Sequence, residues 1–290
     1  MQRFTHEQRA VLHHAWDIHI HCAPDAVPRA CDGFDLMMEA DEADMAAVLL
    51  KDHCGSTTGM AAMLRRAFPN GPKCFASFTM NPSNGGLNPY AVEAALKGSA
   101  RVVWFPTYGA KHQIEFGAMP FPRDPNDPGL TIYDEQKRIR PVVHDIISLI
   151  REHDAVLATG HLAPEESLEL LRTAKAAGVE RLSFTHPTEP VTRSTVDQQK
   201  AAVEIGAKLE HCFLALTPSC PGGPSPEEFA AEITEVGFAH CILSSDYGQV
   251  ANGSPTAGFA NWLLKLREIG LSQEAIERMT HNNPQQLLEG

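Results

Sequence analysis

The chain lacks any Cys-x-x-Cys pair. Its 7 cysteines are odd in number and scattered over 290 residues, which fits reduced thiols in a cytoplasmic protein rather than a disulfide framework. Basic residues are also scarce. Against 36 Asp and Glu there are 24 Lys and Arg, a formal net charge of −12. That argues against a nucleic-acid partner, which calls for a basic face. No apolar run approaches the roughly 20 residues of a membrane span. The opening stretch "MQRFTHEQRAVLHHAW" is too polar for a signal peptide. Phosphate-loop and dinucleotide fingerprints do not occur, and neither repeats nor low-complexity segments are visible. What is left is a globular composition, 43% hydrophobic and 21% charged, read as one domain over residues 1–290. The expected partner is a small molecule, with homo-oligomerisation left open.

Short apolar runs alternate with longer amphipathic ones. The runs read as strands cover 15–20, 46–51, 73–79, 101–107, 155–160, 181–185, 207–214 and 241–246. Helix-like segments separate most of them, and three more close the chain. Ser56 and Thr57 carry an N-cap signal, and Pro164, Glu165 and Glu166 open another helix with acid in its first turn. Gly178, Gly206, Gly237 and Gly270 stand where helices should stop. Eight strands alternating with helices predict an α/β fold of the (β/α)8 TIM-barrel type. The long Pro- and Gly-rich stretch 108–130 follows strand four, and its length marks it as a lid or binding loop.

Chemistry in such a barrel sits at the carboxyl ends of the strands. Strand one reads "DIHIH". In a regular strand its His19 and His21 share one face while Ile18 and Ile20 share the other. Strand two ends in Lys51, Asp52 and His53. Strand five ends at His161, strand six at His186 and strand eight at Asp246, while strand seven carries Glu210 and His211. Imidazoles and a carboxylate converging on one mouth suit zinc, with manganese or iron(II) as alternatives. A metal there would bring the pKa of bound water to about 7. Cys22, Cys54 and Cys212 each follow a site residue, so alternation turns their thiols toward the core. Lys51, Arg101, Lys111 and Arg123 could offer positive charge at the mouth, and Phe105, Tyr108, Phe116, Met119 and Phe121 an apolar wall.

"DIHIH", "GH" after strand five, "TH" after strand six, "SSD" after strand eight and the late "NNPQQLL" resemble the amidohydrolase superfamily of metal-dependent TIM-barrel hydrolases. The resemblance runs from about residue 15 to 290. It implies His19, His21, His161, His186 and Asp246 as metal ligands, with Asp246 also the general base. One departure stands out. Binuclear members carry a bridging Glu or carboxylated Lys at the end of strand four, where this chain has "RVVWFPTYGAKH". One firmly bound ion is therefore expected, with a second left open. Lys51 is expected as a substrate-binding amine or, if carboxylated, as a substitute bridge. The leading function is hydrolysis of an amide, cyclic amide, lactone or other ester, with Asp246, Lys51 and His186 catalytic. The alternatives are a metal-dependent decarboxylase, with His186 as proton donor, and a non-catalytic ligand-sensing barrel.

Overall fold

The computed structural model describes residues 3–117, 124 and 126–290. Its eight strands are β1 (Trp16–Ile20), β2 (Ala47–Leu50), β3 (Lys73–Thr79), β4 (Ala100–Trp104), β5 (Val156–Ala158), β6 (Leu182–Thr185), β7 (Lys208–Cys212) and β8 (Cys241–Ser244). Each pairs in parallel with the next in chain order. The last meets the first. Asp246 N donates to His19 O at 2.9 Å and His21 N to Tyr247 O at 2.8 Å. The result is a (β/α)8 barrel.

Helix α1 (His6–Leu12) precedes β1, and the helices between strands are α2 (Gly33–Glu42), α3 (Thr58–Ala67), α4 (Pro89–Lys97), α5 (Lys111–Phe116), α6 (Pro141–Glu152), α7 (Pro164–Ala176), α8 (Val196–Ile205) and α9 (Pro226–Val236). They continue with α10 (Pro255–Glu268), α11 (Gln273–Glu277) and, past a π-helical turn at Arg278–Asn282, α12 (Asn283–Glu289). α1 and α5 were not among the expected helices. α1 carries a readable signal, a capping box in which Thr5 and Gln8 exchange bonds. The four glycines expected at helix ends all have positive φ there. Thr57 is the N-cap residue of α3, as expected, but makes no side-chain cap hydrogen bond. Its hydroxyl turns to the strands instead, accepting from Ser77 N at 2.7 Å and donating to Leu50 O or Ser77 O.

Alternation along the strands builds two cores. Val48, Leu50, Val103, Leu157, Phe184, Leu209 and Leu243 pack outward beneath the helices. Trp16, Ile18, Leu49, Val102, Trp104, Val156, Ala158 and Ile242 fill the barrel, closed below by Leu287 and Leu288 of α12. Arg101 belongs to this floor. It donates to Leu288 O and Asp154 O, so it is not a cation of the mouth.

β1 departs from regular alternation. Its register against β2 shifts between Asp17 and Ile20. Ile18 therefore joins the inner core and Ile20 the outer one, and the expectation that they share a face fails. Ile18 and His19 both turn inward, the two-against-one pattern of a bulge at a barrel rim. Asp17 supports the irregularity, its Oδ1 accepting from His19 N at 3.3 Å and Ser245 N at 3.0 Å. Burial pushes its carboxyl up to about 7.

Candidate metal centre

The carboxyl ends of the strands bring His19, His21, Lys51, His161, His186 and Asp246 together. All six are buried. Asp246 is the hub. Its Oδ1 lies 3.1 Å from His19 Nε2 and 3.0 Å from His21 Nε2, and its Oδ2 3.4 Å from His186 Nε2. The ring of His161 is 4.9 Å from that of His186. Single ligand atoms of His19, His186, Asp246 and Cys212 all fall within 4.8 Å of one another.

The backbone is bent to this purpose. His186 and Asp246 take φ of +46° and +52°, a left-handed conformation that costs a non-glycine residue roughly 1–2 kcal/mol and gathers at functional sites. Gly160, just before His161, has φ of +65°, and a Cβ there would stand 2.2 Å from Phe105 O. Only glycine lets β5 turn this closely past the end of β4.

Electrostatics follow from burial. Desolvation holds the imidazoles of His53, His161 and His186 well below their ordinary pKa. His21 is lowered to about 3 by burial and then by the Arg29 charge. These rings are neutral at physiological pH, the form that binds metal. Burial alone would raise the Asp246 carboxyl, but attraction to His19, with His21 and His186 adding to it, holds it well below the carboxylate range.

Lys51 follows β2 and points into the barrel, its Nζ 5.0 Å from the centre of the Trp104 ring. Among the described residues the amine has no hydrogen-bond partner, and burial lowers its pKa. It pairs with neither Asp52 nor Glu210 at ion-pair distance.

Strand seven separates its two candidates. Glu210 faces in, Oε1 3.0 Å from His19 Nδ1. His211 faces out against Phe229, ring centres 5.7 Å apart. Cys212, two residues after Glu210, therefore faces in as well, its Sγ 3.6 Å from His19 Nδ1. The expectation of a core-facing Cys212 measured its direction against His211. Glu210 is the residue of that strand in the site, so alternation turns the thiol the other way.

A family model matches residues 14–210, from β1 into β7, and takes in His19, His21, Lys51, His161, His186 and Glu210. The chain belongs to DUF6282. That family is described as one of unknown function. Among curated proteins none matches this DUF6282 chain. Solved structures do. An amidohydrolase from Pseudomonas aeruginosa superposes with a TM-score of 0.66 at 10% identity, covering 97% of this chain and 98% of that one. An organophosphorus hydrolase from Deinococcus radiodurans gives 0.58 at 13%, covering 96% and 93%. A TatD homologue from Escherichia coli gives 0.58 at 14%, covering 97% and 99%. At these identities the likeness is one of fold, and the fold is a (β/α)8 barrel.

Above the centre the DUF6282 chain has a cavity of about 220 Å3 lined by Tyr108, Phe116, Val191 and Leu214, with His161, Glu189 and Asp246 at its base. Tyr108, Gln113 and Phe116 belong to the expected loop 108–130, whose described part stands at this mouth. Met119, Phe121 and Arg123 lie outside the described residues. Phe105 is buried in the outer core and does not line the cavity. Lys111 is exposed and 3.8 Å from Glu115. His53 is in the wall, its Nδ1 2.8 Å from Thr107 Oγ1.

Three contributors escaped the sequence reading. Glu189, in the loop after β6, is buried with its Oε2 3.7 Å from His186 Nδ1. Burial, and then repulsion from Asp246, raise its carboxyl well above the usual range. Gln113 of α5 meets His161 Nδ1 with Oε1 at 2.6 Å. Arg29, in the loop after β1, reaches His21 Nδ1 with Nη2 at 3.2 Å. None sits at a strand end. "THPTE" held a signal for Glu189, an acid three residues beyond a candidate ligand; Gln113 and Arg29 had none.

Proposed function

We propose that this protein is a metal-dependent hydrolase that cleaves an amide, cyclic amide, lactone or other ester of a small molecule. One observation carries the reading. The Nε2 atoms of His19, His161 and His186 are buried without a hydrogen-bond partner among the described residues, beside an ionised carboxylate. Buried polar atoms are rarely left so, and three imidazoles with one carboxylate are a donor set suited to zinc, manganese or iron(II). His19, His161, His186 and Asp246 would hold the ion, with Cys212 close by and His21 hydrogen-bonded to Asp246.

The ion, when bound, would acidify water and polarise a carbonyl. Asp246 takes the proton of the attacking water, because its carboxylate is ionised and faces the centre. Glu210 behind His19 orients that ring, in the manner of a carboxylate–histidine pair. The Lys51 amine, buried and unpaired, donates to the substrate oxygen. Tyr108, Phe116, Val191 and Leu214 line the cavity and limit solvent around the substrate.

Protein purified without chelator should contain close to one equivalent of a first-row metal by elemental analysis. It should hydrolyse at least one member of a panel of lactones, esters and cyclic amides, and lose that activity to chelator. Asp246→Asn should reduce turnover by roughly 10²-fold or more, the scale of a general base. Absence of metal would overturn the reading. Release of carbon dioxide in place of hydrolysis products would turn it toward decarboxylation.

A further inference from the structure

Three of the four imidazoles at the mouth have one nitrogen toward the centre and one hydrogen-bonded from behind, while Nδ1 of His186 has no hydrogen-bond partner among the described residues. The groups behind them differ in kind. His19 Nδ1 meets the carboxylate of Glu210 at 3.0 Å, and His161 Nδ1 meets the side-chain oxygen of Gln113 at 2.6 Å. His186 Nδ1 faces the carboxyl of Glu189 at 3.7 Å. The oxygens of Glu210 and Gln113 are acceptors and favour a proton on Nδ1, which leaves Nε2 of His161 a free lone pair. His19, with Asp246 Oδ1 3.1 Å from its Nε2 as well, has acceptors on both sides, so it can keep its Nδ1 proton and give up the one on Nε2 to an ion. Behind His21 stands a guanidinium, Arg29 Nη2, at 3.2 Å from Nδ1. Arginine only donates. A ring nitrogen that accepts from it carries no proton, so the proton of His21 sits on Nε2, facing Asp246 Oδ1 at 3.0 Å.

A second observation agrees. The Nε2 atoms of His19, His161 and His186 lack a hydrogen-bond partner among the described residues, whereas both nitrogens of His21 are engaged. His19 Nε2 lies 3.1 Å from Asp246 Oδ1 and His21 Nε2 3.0 Å from the same oxygen, so what separates the two rings is the group behind each. Arg29 is fixed in place. Its Nε and Nη2 both lie 2.7 Å from Asp25 Oδ2, with both side chains buried. The adjacent Ala30 N donates to Gly248 O just after β8.

We propose that His21 is not a metal ligand but an Nε2–H donor that positions Asp246, leaving His19, His161, His186 and Asp246 to hold the ion. This rests on the metal-binding reading above. The two histidines of "DIHIH" thus divide their work, one on the ion and one on the carboxylate.

Nitrogen-15 histidine spectra of the metal-free wild-type protein test the tautomers directly. His21 should show a protonated Nε2 and a lone-pair Nδ1, with His161 the reverse and His19 protonated at Nδ1. Added zinc should shift the Nε2 signals of His19, His161 and His186 and leave the His21 Nε2 proton in place. A lone-pair Nε2 on His21, or loss of its proton on zinc binding, would overturn the proposal. In parallel, His21→Gln should keep one equivalent of zinc through gel filtration, with affinity lowered at most about 10–100-fold, the range for a group behind the ligands. His19→Gln should keep none. Equal loss in both variants would count against the proposal. If the wild type takes up no metal, the hydrolase reading falls, and the metal-free spectrum still decides which nitrogen of His21 is protonated.

Discussion

At the scale of single residues, Lys51 carries the sharpest conflict between folding and function. A long aliphatic stem is well suited to the barrel interior, but the amine at its end is buried with no hydrogen-bond partner among the described residues. Such a group costs about 1–3 kcal/mol. Lys51→Met keeps the stem and removes the cost. It should raise the free energy of unfolding in urea by that amount while lowering turnover and leaving metal content near one equivalent. A variant less stable than the wild type would mean that the amine has a partner in solution. Residue type and strand position were enough to single out Lys51, His161, His186 and Asp246, because side chains at strand ends of a barrel have only one mouth to face. Arg29, Gln113 and Glu189 could not be found that way. Their positions depend on the paths of loops, which alternation does not govern.

At the scale of elements, all eight strands lie within the runs read from the sequence or one residue beyond them, since a parallel strand buried on both faces leaves a compact apolar signature. Direction within a strand was less secure. Counting by twos failed at β1, where the bulge turns Ile18 and His19 the same way. It also gave the wrong direction for Cys212, where the count began from the wrong neighbour. The turn after β5 offers a test of how far elements control the centre. Gly160→Ala would combine positive φ with a Cβ 2.2 Å from Phe105 O and 2.6 Å from Pro106 O. The backbone must shift to accommodate it, taking His161 along. We expect a stability loss of about 2 kcal/mol or more, the sum of a left-handed non-glycine residue and the clash, together with weaker metal binding. Titration of a chromophoric chelator against both proteins would measure the second effect. Unchanged affinity would mean that the turn relaxes without moving His161.

At the scale of the whole molecule, the layer between barrel and helices sets a pH limit. His211 is wholly buried there, and burial lowers its pKa to about 3. An unfolded histidine titrates near 6.5. Between these values the unfolded chain binds the proton and the folded one does not. The contribution is therefore complete above about 6.5 and declines as the pH falls toward 3. At about 1.36 kcal/mol per unit, roughly 2 kcal/mol is lost by pH 5. His211→Phe, which cannot titrate, should lose less stability than the wild type between pH 7 and pH 5. Urea midpoints at both pH values would show it, and parallel declines in the two proteins would assign the acid sensitivity to other groups.

The meeting of the first and last strands also has a bearing on synthesis. His21 and Asp246 touch across 225 residues of sequence. A ribosome adding about 5–20 residues per second needs on the order of 10–45 s to pass from one to the other. Through that interval the nascent chain carries its histidines without the carboxylate that gathers them. Capture of an ion by the complete set must then wait until β8 has emerged and closed against β1, so in a cell the metal would be acquired by a finished barrel and not by a growing one.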